Sequence, residues 1–414
     1  MHILACDNLQ GRNVVSASVH VHEVISHLSE MGHDIMLLSG EYSSNKTKEK
    51  ANTIGSPWRR IEKRLVQWRL LWPFRGELSL IGILRHEVYL FFSALIILLR
   101  RKGGFDVIYR RHNLLNSEYF LARFFRVPLV KEVNGIVADE LKLMKWGDRF
   151  SLWVVDRIER FNMSKADRII VVTPNLKDVL QSEYGIEPDR ITVIQNGANT
   201  NLFKPMDVIQ VRDELNLRQE CSYICFVGTL VQWQGIEYLI RSTPAVLGEC
   251  PQTRLLIVGD GKMKQELMNL AEQVGVLDKT IFVGMVPYNR VPLYMNASDV
   301  CIVPKTGLRS GYSPLKLCEY LACGKPVVGS RASGLEIIEE SQGGILVEPG
   351  NSAELAKAIT RLLQDKELRS KMGENGRKYV VENQSWESVA MRVAEVFSGM
   401  IQTGSKDKSH AHIR

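Results

Sequence analysis

Short apolar runs alternate along the chain with segments whose apolar residues recur every three or four positions. That alternation is the pattern of βαβ units wound around parallel sheets. In the first half, Ile3–Cys6, Asp34–Leu38, Asp106–Tyr109, Leu129–Val133, Arg168–Val172 and Ile191–Ile194 read as strands. Ser18 to Gly32 has helical spacing and stops at a glycine, as helices commonly do. Asn199 to Arg218 is polar, contains Pro205 and reads as a connection ending in a short helix. A second series then begins, with strands expected at Tyr223–Val227, Arg254–Val258, Thr280–Val283, Val300–Val303, Pro326–Gly329 and Gly344–Val347. Helices are predicted over Ile236–Leu247, Lys262–Gln273, Val291–Ala297, Pro314–Ala322 and Ala353–Leu363.

The fold class is therefore α/β: two Rossmann-like, doubly wound parallel sheets, in domains of residues 1–205 and 206–384. A helix over 385–401 is expected to reach back to the first domain, and residues 403–414 read as a disordered tail. Open α/β sheets bind ligands at the C-terminal ends of their strands, so the chemistry is expected in a cleft between facing domains.

A chain of 414 residues accommodates two such domains. With 45% hydrophobic and 24% charged residues it has the composition of a folded globular protein, which excludes wholesale disorder. The net charge of +7 is a mild excess, in keeping with an anionic substrate or surface but not with a dedicated nucleic-acid binder. Seven cysteines without a CxxC pair or an accompanying histidine cluster read as reduced thiols, with no metal site expected. The N-terminal MHILACD reads as a strand and not as a signal peptide, so a cytoplasmic location is expected. The longest apolar run, Val88 to Leu99, falls well short of the ~20 residues needed to span a bilayer.

Four stretches carry candidate chemistry. In Ser313 to Ser330, SPLKLCEYLACGKPVVGS, Ser313 suits an N-cap and Pro314 the first helical turn. The amides of such a helix start, together with Leu315, suit a diphosphate. Glu319, about one and a half turns further on, can accept hydrogen bonds from vicinal hydroxyls such as those of a ribose; the plainer alternative is a packing helix in which Glu319 pairs with Lys316. In Phe226 to Ile240, FVGTLVQWQGIEYLI, a strand runs into Gly228, where backbone can approach a phosphate, with Thr229 and Gln234 as donors. Leu255 to Leu267, LLIVGDGKMKQEL, makes a third strand–glycine–helix turn at Gly259. Ile281 to Val286, IFVGMV, offers backbone to a base edge near Val286.

Taken together these segments resemble the donor domain of the family-four glycosyltransferases, of GT-B architecture, and SPLKLCEYLACGKPVV resembles a form common in one subgroup. SASVHVHEVISHLSEMGHDIMLL, ADRIIVVTPNLKDVL and ITVIQNGANTNLFKP are similar to the family's first-domain segments, so the likeness covers nearly the whole chain, weakest between Tyr42 and Gly104. The resemblance implies a retaining, metal-independent transfer from a UDP- or GDP-linked sugar, with no further cofactor. It implies that Glu319 binds the ribose, that Gly228, Thr229, Gln234 and the turn Ser313–Lys316 hold the diphosphate, and that Asn196 and Gly197 line the cleft.

Three departures stand out. The family places an acid eight positions before Glu319, where this chain has Gly311; its phosphate-binding Arg and Lys correspond to Thr229 and Gln234; and a His common after the fourth strand corresponds to Asn134. Each lost charge weakens electrostatic stabilisation of the leaving group. Lys316, Lys305 or Arg309 could replace it.

On the acceptor side, His20, His22, Arg110, Arg111, His112 and Glu132 fall at strand ends or in first-domain loops expected to face the cleft. Within Pro57 to Glu77, Trp58, Ile61, Leu65, Trp68 and Trp72 recur on one helical face among six Arg or Lys and two Glu, a pattern that fits the headgroup region of an anionic membrane. The expectation is a peripheral cytoplasmic enzyme of polysaccharide or glycolipid synthesis, acting on a lipid-linked or saccharide acceptor. Two rivals are a degenerate, non-catalytic binder of nucleotide sugars, which the missing charges raise, and a sugar-nucleotide epimerase of the same architecture.

Overall fold

The computed structural model describes residues 1–7, 15–39, 80–101, 104–112, 117–143, 148–306, 311–313 and 315–411. The basic, Trp-rich segment Pro57 to Glu77, Arg309 and Pro314 lie outside the described residues.

Twelve parallel strands form two six-stranded sheets among the described residues. The first holds β1 (His2–Asp7), β2 (Asp34–Ser39), β3 (Val107–Arg111), β4 (Leu129–Val133), β5 (Arg168–Val171) and β6 (Ile191–Val193), in the order β2-β1-β3-β4-β5-β6. The second holds β7 (Ser222–Val227), β8 (Thr253–Val258), β9 (Thr280–Gly284), β10 (Val300–Val303), β11 (Val327–Ser330) and β12 (Gly344–Val347), in the order β12-β11-β10-β7-β8-β9. The α/β, doubly wound expectation is met: each strand expected from an apolar run is present, with boundaries moved by a residue or two.

The chain clusters into two compact units, Met1–Glu132 with Lys165–Asp167, and Val133–Ser164 with Arg168–Arg414. In the first unit, Leu4, Cys6 and Ile108 pack under Ala94, Ile97 and Leu98 of the helix Leu80–Arg100 and Leu121 and Ala122 of the helix Ser117–Phe125. No helix among the described residues is long and apolar enough to cross a membrane.

In the second unit, alternate residues of β7, β8 and β10 feed two cores. Tyr223, Cys225, Val227, Leu256, Val258, Cys301 and Val303 enter one. Ile224, Phe226, Leu255, Ile257, Val300 and Ile302 enter the other. Burial on both faces is why these strands read as unbroken apolar runs, and each full burial of a Leu or Ile contributes about 1.5–3 kcal/mol. The order of this sheet reverses between β10 and β7, which places a topological switch point at their C-terminal ends.

Two features of the C-terminal region differ from expectation. A helix over Lys366–Asn383 precedes the last one, and the last helix runs from Trp386 to Ala411, so the stretch read as a disordered tail is helical to that point.

Candidate functional site

The loops leaving β7, β8 and β9 are laced backbone to backbone. Gly228 N–H donates to Val258 O at 2.9 Å, Leu230 N–H to Asp260 O at 2.9 Å and Gly259 N–H to Gly284 O at 2.8 Å. Val227 N–H donates to the Tyr320 hydroxyl at 2.7 Å, which anchors the end of β7 to the helix Leu315–Ala322. The expected contact points Gly228, Gly259 and Val286 are half-buried and Thr229 is exposed, so backbone and one hydroxyl are presented at these strand ends.

Gly235 follows in a left-handed turn at φ 68°, and a Cβ there would lie 1.7 Å from Pro304 O. Only glycine allows that approach. It seats Gln234 against the chain leaving β10, where Lys305 Nζ donates to Gln234 Oε1. The ammonium lies 5.0 Å from the centre of the Tyr312 ring, and burial pushes its pKa down to about 7. Gln234 Nε2 comes within 3.7 Å of where a Cβ on Gly228 would stand. Gly228, Gln234, Lys305 and Tyr312 thus form one contiguous group at the switch point.

The helix Leu315–Ala322 carries Glu319, which is 2% exposed. Tyr288 donates its hydroxyl to Glu319 Oε1 at 3.0 Å, and Lys316 Nζ donates to Oε2 at 2.7 Å. The pairing expected of a packing helix is therefore present. A carboxylate oxygen accepts more than one hydrogen bond, so neither contact exhausts the group. At the start of the helix, Asn196 Nδ2 donates to Ser313 Oγ, and Cys318 Sγ donates to Asn196 O at 3.4 Å. Asn196 is buried, and its Oδ1 has no hydrogen-bond partner among the described residues. Leu315 and Lys316 are half-buried. Gly197 has a different role from its neighbour: a Cβ there would meet Gln384 O at 2.6 Å, and Ala198 N–H donates to Gln384 O at 2.9 Å. It packs against the chain that leads into the last helix.

Gly311, where the resemblance expects an acid, lies at φ 73°, and a Cβ there would stand 2.9 Å from Ser333 O. The next residue, Tyr312, donates its N–H to the same Ser333 O at 2.8 Å. The turn is built for glycine.

The acceptor-side candidates separate by burial. Arg110 is 1% exposed and its guanidinium donates to Glu118, also buried, which removes it from the groups an acceptor could reach. Glu132 accepts from the Tyr109 hydroxyl, and its Oε1 lies 3.1 Å from His20 Nδ1. Burial lowers the pKa of His20 more than the nearby Glu132 raises it, and Arg111 lowers it further. Arg111 and His112 are half-buried, His22 is exposed, and His112 N–H donates to Glu132 O at 2.6 Å. Asn134 is half-buried just after β4. The helix Val137–Leu143 that follows is capped by Glu159, which accepts from Val137 N–H at 2.8 Å and Ala138 N–H at 3.2 Å.

Sequence reasoning passed over Glu159, Tyr288, Tyr312 and Ser333. Only Glu159 left a signal, as an acid on the apolar side of a helical pattern.

Residues 17–202 match the family described as Glycosyltransferase Family 4, and residues 207–379 match Glycosyl transferases group 1. An uncharacterized glycosyltransferase of Methanocaldococcus jannaschii is 32% identical over 292 residues, 67% of this chain and 70% of that protein. A D-inositol 3-phosphate glycosyltransferase of Corynebacterium glutamicum is 26% identical over 324 residues, covering 76% and 77% of the two chains. Among solved structures, Anabaena Alr3699/HepE in complex with UDP-glucose aligns with a TM-score of 0.68 at 20% identity, over 96% of this chain and 100% of that one.

Proposed function

Because the chain belongs to the glycosyltransferases of family 4 and group 1, we propose that it moves a sugar from a UDP-linked donor, with retention and without a metal ion. The carrying observation is the convergence of the β7 glycine loop, the Gln234–Lys305 pair and the Glu319 helix within the second unit. The strand-end amides and the helix start at Ser313 suit a diphosphate. Glu319, held by Tyr288 and Lys316, suits the ribose hydroxyls. UDP is chosen over GDP because the HepE structure that shares this fold holds UDP-glucose.

In this reading the leaving diphosphate is neutralised as the glycosidic bond to the sugar breaks, and the acceptor hydroxyl attacks the same face. Its proton passes to the departing phosphate oxygen. Groups already in place to stabilise the charge that develops in the transition state account for most of the rate such a site supplies.

The acceptor is proposed to be lipid-linked or a saccharide at the inner face of the cell membrane. The helix Ser117–Phe125 supports a membrane contact: Phe120 and Phe124 are exposed on it, with Arg123 between them.

A screen of UDP-, GDP-, ADP- and CMP-sugars by thermal shift should single out a UDP-sugar, since a ligand bound only by the folded state raises apparent stability. Glu319→Ala should then lose at least about 100-fold in transfer or donor hydrolysis, the scale of one removed transition-state contact. Undiminished turnover in that variant would remove Glu319 from the site. Donor binding without transfer to any acceptor would favour the non-catalytic reading that Gly311 raises.

A further inference from the structure

We propose that Lys305 is the cation that holds the donor's diphosphate in this chain, in place of the basic pair expected at Thr229 and Gln234. The inference rests on the donor reading above and adds the residue that completes its charge. A diphosphate at the end of β7 meets an exposed hydroxyl at Thr229 and an uncharged amide at Gln234. Neither neutralises a leaving group that departs with two negative charges.

Lys305 enters the same place from another strand. It lies two residues past the end of β10, the neighbour of β7 across the switch point where ligands of such sheets bind. The tight approach of Gly235 to Pro304 O brings the two loops together, and Lys305 Nζ donates to Gln234 Oε1. A positive charge is thereby delivered to position 234 from 71 residues away in sequence. Gln234 serves as its bracket and keeps its own Nε2 beside Gly228.

Lys316 is engaged differently: it pairs with Glu319 at 2.7 Å and lies 5.6 Å from the centre of the Tyr288 ring. Lys305 has no carboxylate within ion-pair distance among the described residues. Among the described residues, the groups that face it are Gln234 and the Tyr312 ring, whose hydroxyl donates to Thr306 O. A desolvated ammonium without a counter-charge is unfavourable in the free protein, which is why burial depresses its pKa to about 7. An anion arriving beside it supplies the missing partner.

The test is equilibrium binding of UDP and of uridine to the full chain, comparing wild type with Lys305→Met, Lys305→Arg and the exchange Gln234→Lys/Lys305→Gln. Lys305→Met should weaken UDP by about tenfold or more, the scale of a lost charge-assisted hydrogen bond, and leave uridine unchanged. The exchange should recover most of that loss by returning the charge to position 234. Wild-type affinity for UDP should fall from about pH 6 to about pH 8.5 as Lys305 deprotonates, and Lys305→Met should lack that component.

Thermal unfolding without ligand separates this role from a structural one. Removing a half-buried charge that no carboxylate among the described residues balances should leave Lys305→Met as stable as wild type or more so. A variant that unfolds earlier yet binds UDP normally would overturn the assignment. Unchanged UDP binding by Lys305→Met would overturn it alone, and a matching loss in Arg309→Ala would move the role to Arg309. Failure of the wild-type chain to bind UDP at all would overturn both this inference and the donor reading beneath it.

Discussion

At the ends of β7 and β10, Gln234 and Lys305 are half-buried and share a single hydrogen bond, and Thr229 stands exposed. At the ends of β3 and β4, Arg110 and Glu132 are nearly inaccessible, as is His20 of the helix Val15–Glu30; Arg110 is bound to Glu118, and Glu132 to Tyr109 and His20. Both regions present charged or polar residues just where a parallel sheet gives way to its loops. In the first, the polar groups stay half-buried or exposed, where a ligand can reach them. In the second, charges that read as acceptor contacts are closed into internal pairs. A charged residue at a strand end is therefore weak evidence of a binding group until its partners are known.

The sharpest way to break this contrast is Arg110→Met. Removing one partner of a buried ion pair leaves the other charged and unsatisfied, so the cost should be about 3–5 kcal/mol of folding stability. The double change Arg110→Met/Glu118→Leu should recover most of it, because two apolar side chains replace the pair together. Denaturant unfolding of both variants measures the difference. If Arg110→Met folded normally and raised the KM for an acceptor, Arg110 would belong to the binding surface and the contrast would fail.

The sheets were legible because burial on both faces leaves long apolar runs: Leu129–Val133 and Val300–Val303 are found with the boundaries that their side chains predict. The helix Lys366–Asn383 was not, for a packing reason. It carries Gly373 and Gly376, which weaken a helical reading of the sequence. In the fold they allow close contact: a Cβ on Gly373 would meet Gly324 O at 2.1 Å, and one on Gly376 would meet Leu321 Cδ2 at 2.6 Å. In the candidate site, the glycine loops and Glu319 could be read from local spacing. The choice among Lys305, Lys316 and Arg309 could not, since it depends on which loops the sheet order brings side by side. Likewise, nothing in Arg110–Arg111–His112 distinguishes the fully buried guanidinium from its half-buried neighbours until the helix Ser117–Phe125 brings Glu118 against it.

Gly311 allows a finer test within the second unit. If the missing acid were merely a lost contact, Gly311→Glu would restore the family pattern and raise activity. The backbone argues the reverse. A side chain at φ 73° is strained, and its Cβ would crowd Ser333 O, which already accepts from Tyr312 N–H. The substitution should cost about 1–3 kcal/mol and displace Tyr312 from beneath Lys305, so UDP affinity should fall together with the unfolding temperature. A gain in kcat at unchanged stability would show that the turn tolerates the acid and that its loss is not built into this fold.

The smallest effect concerns the closed cluster of the first unit. His20 has its pKa lowered by burial, against the attraction of Glu132 and with the help of Arg111, so the folded state holds it neutral at pH values where the unfolded chain already binds a proton. Between the lowered value and the ordinary one near about 6.5, the unfolded state carries more protons than the folded state, and stability must rise with pH. His20 thus contributes an acid-side decline, in full force once pH drops below its folded value and absent above neutrality. His20→Gln keeps a polar group of similar reach and cannot titrate, so its stability at acid pH relative to that near pH 8 should fall less than the wild type's. Parallel profiles for the two proteins would mean that His20 is not held neutral in the fold, and the distinction between a closed first-unit cluster and an open second-unit site would lose its electrostatic support.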